Sequence, residues 1–186
     1  MSESVLLVLL GTDVHPFDRL VVWMGRWLIG CDTDPPRCVV QYGTSAEPVD
    51  PMTGAAFFPH AELQRLLEAA AVVVCHGGPA TITECRRAGR VPIVVPRDPT
   101  LGEHVDGHQQ RFARMFARSG LIRLAETEGQ LCAALDHAMR EPSEFAVSAA
   151  QQEQADGHLE PARRVGAVVD QLIAARHRSR SRSRSR

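Results

Sequence analysis

The chain has 186 residues, of which 44% are hydrophobic and 23% charged, with a formal net charge of -1. These values are typical of one globular domain and exclude a protein drawn to nucleic acid by its overall charge. The longest apolar run, residues 5–10, is far shorter than the roughly 20 residues that cross a bilayer. No basic segment precedes this run and no cleavage site follows it, so we expect a cytoplasmic protein. The five cysteines lack Cys-x-x-Cys spacing, which indicates mostly buried, reduced thiols.

Short apolar runs alternate with segments of helical period along the chain, a pattern typical of βαβ units around a parallel sheet. The runs cover residues 5–10, 38–41, 71–75, 92–95 and 121–124. Because they lack polar alternation, both faces of the sheet are expected to be buried. The sequence therefore predicts an α/β fold, a Rossmann-like parallel sheet flanked by helices.

Apolar residues at helical spacing predict helices that pack on this sheet. The sets are Phe17, Leu20, Val21, Met24 and Leu28; Leu63, Leu66, Leu67 and Ala70; Phe112, Met115 and Phe116; and Leu131, Leu135 and Met139. Gly120 is expected to end the third of these helices. Residues 44–59 and 98–107 are predicted to be long loops, a kind of segment that is often functional.

The composition of the chain changes after residue 140. We predict a Rossmann-like domain over residues 1–140, a polar linker and C-terminal helix over 141–177, and a tail over 178–186. The helix is predicted from four apolar residues at helical spacing, Val165, Val168, Val169 and Leu172. The tail repeats arginine and serine and cannot bury apolar surface, so we expect it to be disordered.

The segment 72–84 is the most informative about chemistry. It runs from an apolar strand through His76, Gly77 and Gly78 into a helix that begins near Pro79. Glycines let a ligand approach the backbone closely, and the free amides and positive dipole end of a helix N-terminus favour an anion. This arrangement indicates a diphosphate site. A tight structural turn is the alternative that the residues leave open.

Two further side chains on this helix suit a nucleotide. The hydroxyl of Thr81 can donate to a phosphate, as can the imidazole of His76. Glu84 lies about one turn further along, where its carboxylate can accept two hydrogen bonds from a ribose diol. A solvated helix face is the alternative interpretation of Glu84.

Turns after the other strands should open on the same crevice, because ligands bind outside the carboxyl ends of parallel strands. Gly11 and Thr12 end the first strand, and residues 42–45 follow the second. Such turns are common, so by themselves they are weak evidence for a contact with nucleotide or acceptor.

The segment 102–110 follows the fourth strand and should line this crevice too. Its Asp106, His108 and Gln109 have donors and acceptors that suit sugar hydroxyls. Two alternatives remain open. His104, Asp106 and His108 are plausible metal ligands within five residues, and a polar loop that ends in a helix cap would have the same composition.

Taken together, these turns resemble the C-terminal domain of family 28 glycosyltransferases over about residues 4–135. The segments that carry the resemblance are Gly11-Thr12 with Phe17-Asp18, 41–43, 76–84, 92–97 and 102–109. The match is best to small stand-alone members, which include the catalytic subunit of the two-part dolichol-linked N-acetylglucosaminyltransferase and its bacterial exopolysaccharide counterparts. The chain departs from the commoner His-Ala-Gly-x-Gly pattern at residues 77–79.

The resemblance implies a set of site residues. UDP would be bound by Gly11, Thr12, His76, Gly77, Gly78, Thr81 and Glu84. The donor sugar would be bound by Asp106, His108 and Gln109. His76 and Glu84 are the catalytic candidates, with His76 stabilising the charge that grows on the departing UDP. No metal and no cofactor are implied.

The resemblance also implies that the chain is one half of a GT-B fold, a nucleotide-sugar-binding domain. A membrane-associated partner subunit would supply the other half, bring the lipid-linked glycan acceptor, and recruit the chain to the inner face of the membrane. The expected activity is inverting, metal-independent transfer of a sugar from a UDP-sugar to an acceptor hydroxyl, in polysaccharide or glycolipid biosynthesis. The donor sugar, the linkage and the residue that acts as general base are left open.

Three rival functions make different expectations. A metal-dependent hydrolase using His104, Asp106 and His108 would retain metal and lose activity with a chelator. A nucleic-acid-binding protein would rely on the arginines of residues 178–186, and its binding would fall steeply with salt. A non-catalytic subunit would bind UDP-sugar but transfer nothing. Arg97 could pair with an acidic sugar such as glucuronate or serve a structural role.

Overall fold

The computed structural model describes residues 5–31 and 35–148. Its sheet has six strands, β1 Val5–Leu9, β2 Arg37–Gln41, β3 Met52–Ala55, β4 Ala70–Cys75, β5 Ile93–Val94 and β6 Arg123–Leu124. They lie in the order β3-β2-β1-β4-β5-β6, and every neighbouring pair is parallel. This is the strand order of a Rossmann fold.

In the described part of the chain, five α-helices cover the two faces of the sheet. They are α1 Asp18–Ile29, α2 His60–Ala69, α3 Pro79–Arg87, α4 His108–Arg118 and α5 Glu128–Arg140. Side chains of α1 and α5 pack into one hydrophobic cluster, and those of α2, α3 and α4 pack into the other. Every residue of β1 is buried. The predicted α/β fold with both sheet faces covered is therefore confirmed.

The direction in which successive strands are added reverses in the middle of the sheet. From β1 the chain crosses through α1 to β2 on one side, whereas from β4 it crosses through α3 to β5 on the other. The loops that leave β1 and β4 therefore diverge and open a crevice between them. Ligands of doubly wound sheets bind at such a point.

The prediction of an uninterrupted loop over residues 44–59 is wrong, because this segment contains β3. Its residues pair with β2 from Cys38↔Met52 to Gln41↔Ala55. A Cβ placed on Gly54 would overlap the carbonyl oxygen of Val40, so the close approach of these strands requires glycine. Ala70, expected on a helix, instead begins β4.

Residues 142–147 also pack on the sheet. A short 3-10 helix covers Pro142–Phe145, the side chain of Phe145 is buried, and the amide of Val147 donates to the carbonyl oxygen of Gly89 at 2.9 Å. The predicted helix around residues 165–172 and the arginine/serine tail lie outside the described residues. In the described part of the chain, no helix is long and apolar enough to cross a bilayer.

Candidate active site

His76 lies at the centre of the crevice, between two glycines. A Cβ on Gly11 would lie 2.8 Å from two atoms of the His76 ring, and one on Gly78 would lie 2.5 Å from its Nε2. Gly11 and Gly77 have φ angles of 87° and 89°, which L side chains rarely adopt. The turns after β1 and β4 can therefore meet around the ring because these positions carry no side chain.

The hydrogen bond of His76 fixes which ring nitrogen carries the hydrogen, and its pKa fixes the charge. Its Nδ1 lies 3.3 Å from the carbonyl oxygen of Leu9, and since a carbonyl only accepts, Nδ1 carries the hydrogen. Burial lowers the pKa of His76 to about 4. The Leu9 carbonyl and Asp13 act in the opposite direction, and the positive charge of Arg97 adds to the lowering. At neutral pH the ring is uncharged, and Nε2 presents a lone pair toward the start of α3.

This burial should make the stability of the fold depend on pH. The pKa of His76 is about 4 in the folded chain against 6.5 for a free histidine, so the unfolded chain binds the proton first as pH falls. The stabilisation is therefore complete above about pH 6.5 and is lost toward pH 4, amounting to about 2–3 kcal/mol. We expect urea unfolding at about pH 7 and about pH 4.5 to show this loss in the native chain and a smaller loss in His76→Asn. Equal losses in both proteins would contradict the assignment.

The N-terminus of α3 presents free hydrogen-bond donors to the crevice. Pro79 occupies the first turn and has no N–H, and the amide of Ile82 donates to the carbonyl oxygen of Gly78 at 3.0 Å. The amides of Ala80 and Thr81 have no acceptor among the described residues. Two donors and the positive end of the helix dipole thus lie beside the His76 ring, which is the environment an anion requires.

Glu84 and Thr81 follow on the same helix. Both side chains are partly exposed, and neither makes a hydrogen bond or ion pair with any residue that the structure describes. Glu84 is five positions after Pro79, or about 7.5 Å along the helix axis. Their polar groups are available to a ligand that extends from the α3 N-terminus along the helix. Thr12, after β1, is exposed as well.

Arg97 braces the loops that line the crevice. The side chain is buried, and its guanidinium donates to the carbonyl oxygens of Leu10 at 2.7 Å, Glu103 at 2.9 Å and His15. It also lies over the ring of Phe17, 5.1 Å from the centroid. Burial lowers the pKa of Arg97. These contacts join the β1–α1 loop to the β5–α4 loop, so the structure supports the structural role of Arg97 over a contact with an acidic sugar.

An ion pair fixes the β5–α4 loop from the side of α1. Arg19 donates from Nε and Nη2 to the two carboxylate oxygens of Glu103, at 2.8 and 2.7 Å. The same carboxylate accepts from the amide of Asp98 at 2.8 Å, and Arg19 lies over Trp23 at 4.5 Å. The sequence did not predict that Arg19 and Glu103 pair to position this loop. Glu103 lies within the recognised 102–109 segment, but nothing local singles out Arg19.

The sugar-binding candidates begin α4. Asp106 Oδ1 accepts from the amide of His108 at 2.9 Å, and its Oδ2 lies 2.6 Å from His108 Nδ1. The backbone hydrogen bond from His108, followed by that from its side chain, lowers the pKa of Asp106. Gln109 differs, since its Oε1 is buried and has no partner among the described residues. A buried acceptor without a partner is rare in proteins, so a ligand hydroxyl that reaches Gln109 would supply the hydrogen bond it lacks.

His104 connects this loop to the one after β1. Its Nε2 lies 3.8 Å from Asp13 Oδ2, and its Nδ1 accepts from the amide of Asp106 at 3.3 Å. Asp13 in turn lies 2.6 Å from Nδ1 of His15. Asp13 and His104 also act electrostatically on His76. The structure thus brings the turn at residue 76 and both flanking loops to one crevice.

The three metal-ligand candidates do not form a metal site. His104 Nδ1 lies 3.8 Å from Oδ1 of Asp106. The other oxygen of this carboxylate, Oδ2, is already in contact with His108 Nδ1. Within residues 5–31 and 35–148, no three His, Cys, Asp or Glu side chains are grouped as a metal ion requires. The geometry gives the metal-dependent hydrolase no support.

A separate groove lies between α1 and α5 and has a volume of about 610 Å³. The residues that line it include Arg26, Trp27, Cys31, Cys132, Asp136 and Met139. None of the site residues predicted from the sequence lines this groove.

Residues 37–161 match the family model of the glycosyltransferase family 28 C-terminal domain. This match spans most of the chain, so the protein belongs to that family and the resemblance seen in the sequence is confirmed. No curated protein matches the sequence.

Solved structures of glycosyltransferases have a similar fold. The calicheamicin glycosyltransferase CalG4 is 18% identical with a TM-score of 0.59, over 91% of this chain and 43% of its own. Glycosyltransferase VinC, solved with dTDP, is 21% identical with a TM-score of 0.56, over 91% and 41%. The solution structure of ALG13 is 20% identical with a TM-score of 0.51, over 78% and 89%.

The share of each structure that matches shows which part of a GT-B fold this chain forms. The chain spans less than half of CalG4 and of VinC, whereas the match covers 89% of ALG13. At these identities the likeness concerns the fold. The chain is one Rossmann-like half of a GT-B fold.

Proposed function

We propose that this chain is the donor-binding, catalytic subunit of a glycosyltransferase that moves a sugar from a UDP-sugar to a hydroxyl of a lipid-linked glycan. Membership of family 28 supports sugar transfer. The observation that carries the proposal is the crevice between β1 and β4, where the free amides of Ala80 and Thr81 lie beside His76 and two glycines.

The diphosphate would lie against the N-terminus of α3. Gly77 and Gly78 leave room for its oxygens close to the backbone, and the helix amides donate to them. As the oxygen of the acceptor hydroxyl bonds to the anomeric carbon, its proton passes to a base on the acceptor side of the crevice. The bond from that carbon to the diphosphate oxygen breaks, and its electron pair leaves with UDP. Fixed donors aimed at this growing charge lower the barrier without reorganising. The reaction needs no metal in this scheme.

The remaining parts of the donor have candidate partners on both sides of His76. The Glu84 carboxylate, without a partner in the described structure, would accept from the ribose diol. The sugar would lie toward the start of α4, where Gln109 has its unpaired Oε1, with Asp106 and His108 beside it. Gly11 and Thr12 would border the nucleotide from β1.

The acceptor would come with a partner subunit. Less than half the length of CalG4 and VinC is covered by this chain, and Val14 and Val105, in the loops beside the crevice, are 78% and 75% exposed. Exposed apolar side chains at this edge suit a second domain that closes the crevice and associates with the membrane. The chain alone should bind UDP yet transfer no sugar, so rapid turnover of a donor by the purified chain would contradict this part of the proposal. A non-catalytic subunit would stay inactive with its partner too.

The test of the donor site is calorimetric titration with UDP and dTDP. We expect Glu84→Ala to weaken UDP binding about tenfold, or about 1.4 kcal/mol. Because dTDP lacks the 2′-hydroxyl and offers Glu84 one hydrogen bond fewer, its affinity should fall less. Glu68→Ala is the matched control, since Glu68 is exposed on α2. If the native chain and Glu84→Ala bind UDP with equal affinity, Glu84 does not contact the nucleotide.

A further inference from the structure

The ring of His76 faces two different environments. Its Nδ1 is held by the carbonyl oxygen of Leu9 at 3.3 Å, on the side of β1. Its Nε2 lies against Gly78, the residue that caps α3, where a Cβ would be 2.5 Å away. One nitrogen thus belongs to the protein interior, and the other borders the proposed diphosphate.

A neutral ring cannot satisfy both sides once a diphosphate is bound. With the hydrogen on Nδ1, the lone pair of Nε2 would face phosphate oxygens, which are acceptors as well. Moving the hydrogen to Nε2 would leave Nδ1 and the Leu9 carbonyl as two acceptors 3.3 Å apart. The imidazolium form has a donor on each nitrogen and satisfies both.

Charged groups around the ring act on its proton in both directions before a ligand binds. From the β1–α1 loop Asp13 favours a proton on His76, while Arg97 and His104 from the β5–α4 loop oppose it. Burial has the largest effect and lowers the pKa of His76 to about 4, so the ring is neutral. A nucleotide-sugar brings two negative charges next to Nε2, and opposite charges within a few ångströms favour the charged form of a histidine.

We propose that binding of the nucleotide-sugar takes up one proton on Nε2 of His76, so that donor affinity rises as the pH falls. This inference rests on the proposed function. The proton comes from solvent, stays on His76 while the diphosphate is bound, and returns to solvent when UDP leaves. His76 therefore begins as an acceptor and becomes the charged donor that stabilises the leaving group.

Proton uptake can be counted by titrating the full chain with UDP-N-acetylglucosamine in two buffers of different ionisation enthalpy. This diphosphate is a diester and does not titrate near neutrality. We expect about one proton per ligand near pH 7 and a fall in affinity approaching tenfold per pH unit from about pH 5.5 to 7.5. His76→Asn should reduce the proton count to near zero. His137→Asn is the control, because His137 lies on α5 beside Glu144.

UDP serves as a second probe. Its terminal phosphate titrates near pH 6, so for UDP the decisive quantity is the difference between the native chain and His76→Asn. Binding of UDP-N-acetylglucosamine that is independent of pH, with a binding enthalpy independent of the buffer, in both proteins would overturn the inference and leave the proposed donor site intact. No binding of either nucleotide would overturn both.

A ligand-free measurement tests the premise separately. Nitrogen-15 NMR of the imidazole rings should show His76 neutral at pH 6, with its hydrogen on Nδ1. A hydrogen on Nε2, or a ring already charged at that pH, would overturn the inference whether or not a nucleotide binds.

Discussion

Replacing Arg97 with methionine should lower the free energy of unfolding by about 3–5 kcal/mol. Arg97 is 1% exposed, and its guanidinium donates to the carbonyl oxygens of Leu10, His15 and Glu103. Methionine fills much of the same space but donates no hydrogen bond, so three carbonyls lose the guanidinium as a donor. Urea unfolding monitored by tryptophan fluorescence measures the loss. UDP affinity should fall as well, because the same three carbonyls belong to the loops that line the crevice.

Arg26→Met is the control for this substitution. Arg26 also pairs with a carboxylate, Glu128 at 3.2 Å, but its side chain is 66% exposed. Exposed ion pairs contribute about 0–1 kcal/mol, so this variant should unfold nearly as the native chain does. Similar losses in the Arg97 and Arg26 variants would show that Arg97 is not the brace we describe.

Gly78→Ala should weaken UDP binding by more than tenfold and cost about 1–3 kcal/mol of stability. The backbone of Gly78, at φ -63° and ψ 136°, suits alanine, so strain in the chain is not the cause. The added Cβ would lie 2.5 Å from Nε2 of His76, and the ring has Gly11 close to it on another side. Either the ring or the start of α3 must therefore move, and both belong to the proposed diphosphate site.

Gly129→Ala provides the matched control. Gly129 lies on α5 with nothing within 4 Å of an added Cβ, and alanine favours a helix over glycine by about 1 kcal/mol. This variant should bind UDP normally and be as stable as the native chain or slightly more so. Calorimetry and urea unfolding give both quantities. Native UDP affinity in Gly78→Ala would place the diphosphate elsewhere.

The sequence predicted the strands well where an apolar run marks them and poorly where none does. Strands such as β1 are apolar throughout, and five of the six strands in the structure were recognised on that basis. The sixth, β3, lies at the sheet edge, with Met52 buried but Thr53 and Gly54 exposed. A glycine that is required by a neighbouring carbonyl looks like a loop residue when the partner strand is unknown.

The candidate site shows the same division between local and distant signals. The His76 turn could be read from consecutive residues, because a strand, two glycines and a helix follow one another in the chain. The Arg19–Glu103 pair joins residues 84 positions apart, and nothing in the sequence near either residue indicates the other as its partner. The tautomer of His76 depends on Leu9, in a different strand, and became visible once the sheet order was known.

The central claim is that a nucleoside diphosphate binds between the carboxyl ends of β1 and β4, and chemical-shift mapping tests it most directly. The chain, labelled with nitrogen-15, would be titrated with UDP up to about 5 mM, which detects dissociation constants in the millimolar range. The account predicts that the largest amide shifts occur at Gly11, Gly78, Ala80 and Thr81 and saturate together. Shifts confined to the groove between α1 and α5, or no shifts at all, would contradict it.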